Sequence, residues 1–169
     1  MDPVPVQTPV AAQTDDSQAP AGVSAHFVNN VLAAAASYIE EDPDQARDVL
    51  AELGQFLSYG LRPAATSVTL AQELEHTRTY LRLQQARFPD RIQATVRPAG
   101  EATAASLTAG AVRGPVARVL EQRLRTVAGG AVIDVIPAAT AVQVELRGPD
   151  DLVGEAITIP LIPIEETPT

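Results

Sequence analysis

Ser24-Ala25-His26-Phe27-Val28-Asn29-Asn30 opens an alanine-rich run that continues to Glu41. Serine is a favourable N-cap, so the spacing predicts a helix from Ser24 to about Glu41. Along it Phe27, Val31, Ala34 and Tyr38 recur at steps of four and three, which makes an apolar seam. His26, Asn30, Ala33 and Ser37 fall on the neighbouring strip. One of only two histidines in the chain therefore stands in the first helical turn, beside the seam rather than in it.

Outward from this helix, Asp42-Pro43 ends it and starts the next. Asp42 suits the N-cap, Pro43 the first helical position and Gln45 the third, a capping-box arrangement. The second helix, to about Leu61, places Ala46, Val49, Leu50, Leu53, Phe56, Leu57 and Gly60 on one face. So short a turn predicts an antiparallel hairpin, and its two seams leave apolar area uncovered. Pairing with a second hairpin, as a homodimeric four-helix bundle, is the expected remedy. Arg62-Pro63 breaks the second helix. A third is capped by Thr69 and Gln72, carries Leu70, Leu74, Thr77, Tyr80, Leu81, Gln84 and Phe88 on one face, and closes at Pro89-Asp90.

Beyond that point the pattern changes. Arg91 to Arg97 alternates, with Ile92, Ala94 and Val96 on one face, as a strand does. Pro98 to Gly114 is loose and rich in small residues, and Pro115 to Ala128 is helical, stopped by Gly129-Gly130. Ala131 to Ile136 and Ala141 to Arg147 read as a hairpin, and Ile157 to Ile164 as an edge strand limited by Pro160 and Pro163. The expected fold class is α+β. Residues 1–22 form a disordered tail rich in Pro, Ala, Gln and Asp, 23–90 the histidine-bearing helices, and 91–169 a small α/β layer.

Composition removes several functions. The chain has 169 residues, net charge −9 and no cysteine, which excludes disulfides, thiolate metal sites and thiol nucleophiles. All 12 basic residues are arginine, so neither a phosphate-gripping Walker lysine nor a Schiff-base lysine exists. The acidic balance, with 4% aromatics and no tryptophan, argues against nucleic acid. No apolar run reaches the ~18–20 residues of a membrane span, and the N-terminal stretch lacks the features of a secretory signal. A soluble cytoplasmic protein is expected.

The motif residues carry a resemblance. Ala25-His26-Phe27-Val28-Asn29-Asn30 is similar to the Pro-His-Phe-x-x-Asn motif of LytS-like sensor histidine kinases. Leu53 to Leu61 (LGQFLSYGL) and Val68 to Ile92 (VTLAQELEHTRTYLRLQQARFPDRI) extend the likeness over about residues 24 to 97, and it continues weakly to about 147. The resemblance implies that His26 is the phosphoacceptor, Asn30 its motif asparagine and residues 24–61 a dimerisation hairpin. The second half departs from the family. Where the family's ATP-binding helix has Pro-Leu-Val-Glu-Asn-Ala, Pro115-Val116-Ala117-Arg118-Val119-Leu120 stands here. Valine offers no oxygen to a hard cation such as Mg²⁺. Leu146-Arg147-Gly148-Pro149-Asp150 replaces the family's Asp-x-Gly-x-Gly, and no glycine-rich lid follows.

Two functions follow as expectations. One is a phosphotransferase that carries a phosphoryl group on His26 to or from a response-regulator aspartate, in the style of the sporulation phosphotransferase, with no cofactor or metal of its own. The other is a pseudokinase scaffold on which His26 is incidental; an anion held by Arg118 and Arg147 in the altered pocket is a third, weaker possibility. His76, between Glu75 and Thr77, reads as part of a solvated face. Glu40, Glu41, Asp42 and Asp44 read as solvated carboxylates at a helix junction, not a metal site. Arg78, Arg82, Arg87 and Arg91 form a strip expected to pair with Glu73, Glu75 or Asp90.

Overall fold

The computed structural model describes residues 23–63, 66–100, 106–126, 129–148 and 154–161. The expected disordered tail at 1–22 lies outside them, as do 149–150 and 162–164. Helix α1 (Ala25–Tyr38) begins where the sequence predicts: the Ser24 side chain accepts a hydrogen bond from the Phe27 amide at 3.1 Å. It ends three residues before Glu41, where the Ile39 amide turns back to the Ala36 carbonyl and that of Asp42 to Tyr38. Its buried stripe is Phe27, Val31 and Ala35. Steps of four from Phe27 reach Ala35, so Ala34 is only half-buried.

Helix α2 (Pro43–Gly60) folds back on α1, with Asp42 accepting from the Gln45 amide. Ala46, Val49, Leu53, Phe56 and Gly60 are buried, while Leu50 is 46% exposed. The expectation that the hairpin seam is left for a second copy is corrected here. Helix α3 (Leu70–Arg87), with the Thr69–Gln72 capping box formed in both directions, packs against both α1 and α2 and covers the seam within one chain. Phe27 and Phe56 meet at 5.2 Å, and Tyr80 of α3 lies 5.5 Å from Phe27 and 6.2 Å from Phe56. Ring pairs at such separations add ~0.5–1.5 kcal/mol beyond their burial. The Tyr38 hydroxyl donates to the Ala86 carbonyl at 2.9 Å and pins the far end of α1 to α3.

The layer is a four-stranded mixed sheet in the order β2-β4-β5-β6. Strand β2 (Ile92–Val96) pairs parallel to β4 (Ala131–Pro137). Strand β5 (Ala141–Arg147) runs antiparallel to β4, and β6 (Glu155–Pro160) antiparallel to β5. Alternate residues Ile133, Val135, Val142, Val144 and Leu146 face the core. Helix α4 (Arg113–Thr126) connects β2 to β4 and buries Val116, Ala117 and Leu120. The stretch read as loose, 98–114, instead contains β3 (Ser106–Thr108), which forms a two-stranded ribbon with β1 (Ser67–Thr69), and the first residues of α4. Three-residue strands are too short for a period-2 signal to stand out. Gly130 is needed as glycine: its φ is 87°, and a Cβ there would meet the Arg91 carbonyl oxygen at 2.6 Å.

Helix α3 joins the two parts. Glu73 is fully buried, and its carboxylate accepts from the Tyr59 hydroxyl (2.7 Å), the Gly110 amide (2.7 Å) and the Val112 amide (3.0 Å). One side chain of α3 thus binds the end of α2 and the turn that leads into α4. Burial, and then hydrogen bonding to Glu73, push the Tyr59 hydroxyl pKa well above its ordinary value, so it remains a donor. Removing this hydroxyl takes one donor from a buried carboxylate. Tyr59→Phe should therefore lower stability by about 1–3 kcal/mol, read as a reduced urea midpoint with an unchanged slope.

Candidate functional site

His26 lies exposed in the first turn of α1, and the strip predicted beside it is as expected: Ala33 and Ser37 are exposed and Asn30 half-buried. Phe27, the next residue, is 8% exposed and locked among Phe56 and Tyr80, which fixes the direction in which His26 projects. The Asn30 amide nitrogen stands 2.9 Å from His26 Nε2. His26 and Asn30 are thus in hydrogen-bond contact, one turn apart, with the role of the ring nitrogen set by its tautomer.

His26 also lines a cleft of about 450 Å³ between the start of α1 and the ends of α3 and α4. Phe27, Gln84, Arg87, Glu121 and Arg125 also line it. Arg87 is half-buried. Its guanidinium lies 5.6 Å from the Phe27 ring centroid and 4.9 Å from that of Phe88, and it donates to Gln84 Oε1 at 2.8 Å. Gln84 in turn donates to the Tyr80 hydroxyl at 2.7 Å. Sequence reasoning placed Arg87 on a basic strip but missed Glu121 and Arg125. Nothing in a linear sequence shows that the end of α4 comes beside the start of α1. The other strip arginines behave differently: Arg78 pairs with Glu75, and Arg82 with Glu52 at 3.3 Å.

His76 is the clearest departure from the sequence reading. Instead of standing on a solvated face it is 5% exposed, stacked between Phe56 (4.7 Å, 12°) and Tyr59 (4.1 Å, 20°), with the Arg62 guanidinium over the far side of Tyr59. Its polar sequence neighbours misled because α3 is wrapped by helices on one side and by the layer on the other. Glu73, Thr77, Thr79 and Gln84 are buried too. Burial lowers the His76 pKa from 6.5 to about 3, helped by the positive charges of Arg113 and Arg62.

On α4, Arg118 is exposed and Val119 half-buried. Val119 lines a cavity of about 250 Å³ with Gln122, Arg123, Thr126, Glu155 and Ile157. Neither Arg118 nor Arg147 is among the described residues lining it, and Arg147 stands 3.9 Å from Asp134. Among the described residues no three His, Asp or Glu side chains cluster as metal ligands. No helix among them is long and apolar enough to cross a membrane.

Residues 18–92 match the family model described as Histidine kinase. The matched stretch takes in α1, α2, α3 and the HFxxN site, and ends where β2 begins. The chain is similar to two proteins named Sensor protein LytS, from Oceanobacillus iheyensis (39% identical over 45% of this chain) and Enterococcus faecalis (33% over 53%). It is also similar to Sensor histidine kinase BtsS of Escherichia coli (36% over 45%). These matches cover 13%, 15% and 14% of those proteins' own lengths. The likeness to sensor histidine kinases thus rests on the helical part of the chain.

The buried imidazole sets an acid limit on stability. Between pH 6.5 and about 3 the unfolded chain binds a proton at His76 that the folded chain does not. Stability therefore falls as the pH drops through that window, by up to ~1.4 kcal/mol per pH unit. His76→Phe, which keeps the stack, should flatten this limb in urea titrations across the same range. An unchanged slope would remove His76 as its cause.

Proposed function

We propose that the protein is a histidine phosphotransferase: His26 accepts a phosphoryl group from, or passes it to, the aspartate of a response-regulator receiver. The observation that carries this is the pairing of an exposed His26 with Asn30 at 2.9 Å, inside the segment matched by the histidine-kinase family. In the accepting direction the Nε2 lone pair attacks phosphorus of the receiver's aspartyl phosphate. A P–N bond forms, the P–O bond breaks with its electron pair leaving on the carboxylate, and the Nδ1 proton passes to solvent. Asn30 supports the reaction by orienting the imidazole, and its amide leaves Nε2 as the lone pair turns to phosphorus.

The α4 positions support a chain without autokinase activity. The residues expected to serve Mg²⁺ and a general base are Val119 and Arg118, and neither side chain supplies an oxygen. They do not fit nucleotide held in the family's manner, and no step here passes through it. The same substitutions favour the second reading, a pseudokinase scaffold that binds a signalling partner without using His26.

We further propose that the working unit is a dimer. With the seam covered by α3, the large hydrophobics exposed among the described residues are Leu32 (44%) on α1 and Ile39 (58%) at its C-cap, and Leu50 (46%) on α2 and Leu61 (76%) at its C-cap. Leu32 and Ile39 are two turns apart and share one face. Leu50 and Leu61 are three turns apart and do the same. Two copies joined through these faces make a four-helix contact.

Phosphoryl transfer tests the first reading. A phosphorylated receiver should place acid-labile phosphate on His26, seen by mass spectrometry, and His26→Gln should reduce the label to background. Partner binding that survives in His26→Gln with no label on the wild type would favour the scaffold. For the dimer, the solution mass should be near twice 17.8 kDa. Leu32→Glu combined with Leu50→Glu should halve it, whereas a monomeric wild type would end the proposal.

A further inference from the structure

The cleft beside His26 has a charge arrangement that the motif does not account for. Arg87 is half-buried, and desolvation lowers its pKa, so holding its charge there is costly. Yet among the described residues it has no carboxylate within ion-pair distance; its one hydrogen-bond acceptor is the neutral Gln84 side chain. The guanidinium is nonetheless fixed in place, by the Phe27 and Phe88 rings and by the Gln84–Tyr80 chain below it. Arg125, in the last turn of α4, is exposed on the same cleft and has no ion-pair partner among the described residues. The cleft's carboxylate, Glu121, stands with one oxygen 3.5 Å from the Tyr80 hydroxyl. Two cations without carboxylate partners thus line the same cavity as a nucleophilic nitrogen.

We infer that Arg87 and Arg125 are positioning residues for a phosphoryl anion on His26, a role that rests on the phosphotransfer reading above. The planar guanidinium fork matches two phosphoryl oxygens. Arg87, held by stacking and by Gln84, supplies a preorganised donor pair, and Arg125 closes the cleft from the α4 side. The about 450 Å³ between them accommodates the phosphoryl group together with the tip of an incoming side chain. The anion adds to the counter-charge that Glu121 already places near Arg87. Charge accumulating on the equatorial oxygens during transfer is stabilised by the same donors.

The test is chemical loading by phosphoramidate, a small phosphoryl donor that needs no receiver, followed by ³¹P NMR on the intact chain. Phosphohistidine should form at His26 in the wild type, and about tenfold more slowly in Arg87→Gln and in Arg125→Gln. Arg87→Lys should recover part of the rate, since it keeps charge without the fork. The ³¹P titration midpoint of the bound phosphoryl group should move to higher pH in both Gln variants, because a nearby cation favours the dianion. Arg125 is exposed, so its variant reports on the cleft even where Arg87→Gln loosens the end of α3. Equal loading rates and midpoints in all variants, or no loading of the wild type, overturn the inference. Normal arginine effects with phosphoramidate but no exchange with any receiver would instead overturn the phosphotransfer reading and leave the anion cleft standing.

Discussion

A single buried carboxylate ties the two parts of this chain together. Glu73 has no exposed surface, and an unpaired charge in such a place would cost several kcal/mol. Its lone pairs are used instead by a hydroxyl from α2 and two backbone amides from the turn before α4. Those donors exist in the right places only when the hairpin, α3 and the layer are all folded and docked. Separating the helices from the layer gives up the two amide bonds to this carboxylate.

The placement of His26 follows from that docking. With α3 fixed by Glu73, its Tyr80 and His76 rings pack with Phe27 and Phe56 as one aromatic group. Phe27, once held, leaves its neighbour His26 no path but outward, and Asn30 one turn later stands in hydrogen-bond contact with the ring. The end of α4 reaches the same place because α4 also packs on α3. A surface imidazole on a lone helix would be free to sample many directions. Here its surroundings come from three elements distant in sequence.

Much of this was legible in the chain itself. Ser24, Asp42, Thr69 and Gln72 cap helices through local bonds between residues three apart, so short-range chemistry suffices to locate them. The alternation around Ile133 and Val144 announces strands, and the spacing of His26 and Asn30 places them one turn apart on α1. What could not be read was long-range. Glu73 and His76 look like ordinary polar residues on a solvated helix, and only the packing of α3 on both sides reveals them as interior. Ribbon β1–β3 joins residues about forty apart through three pairs, which is too little pattern to recognise. The exposure of Leu50 beside the burial of Val49 likewise depends on where α3 lies, not on either residue's hydrophobicity.

The sharing of α3 bears on how such a protein is controlled. One rigid helix supplies the inner wall of the hairpin and the support of the layer, and its caps and buried charge are satisfied at both ends. His26 stands open to solvent in this arrangement. On the proposed phosphotransfer reading, the direction of transfer is then set by which partners are charged and which are uncharged, the mass action of the circuit.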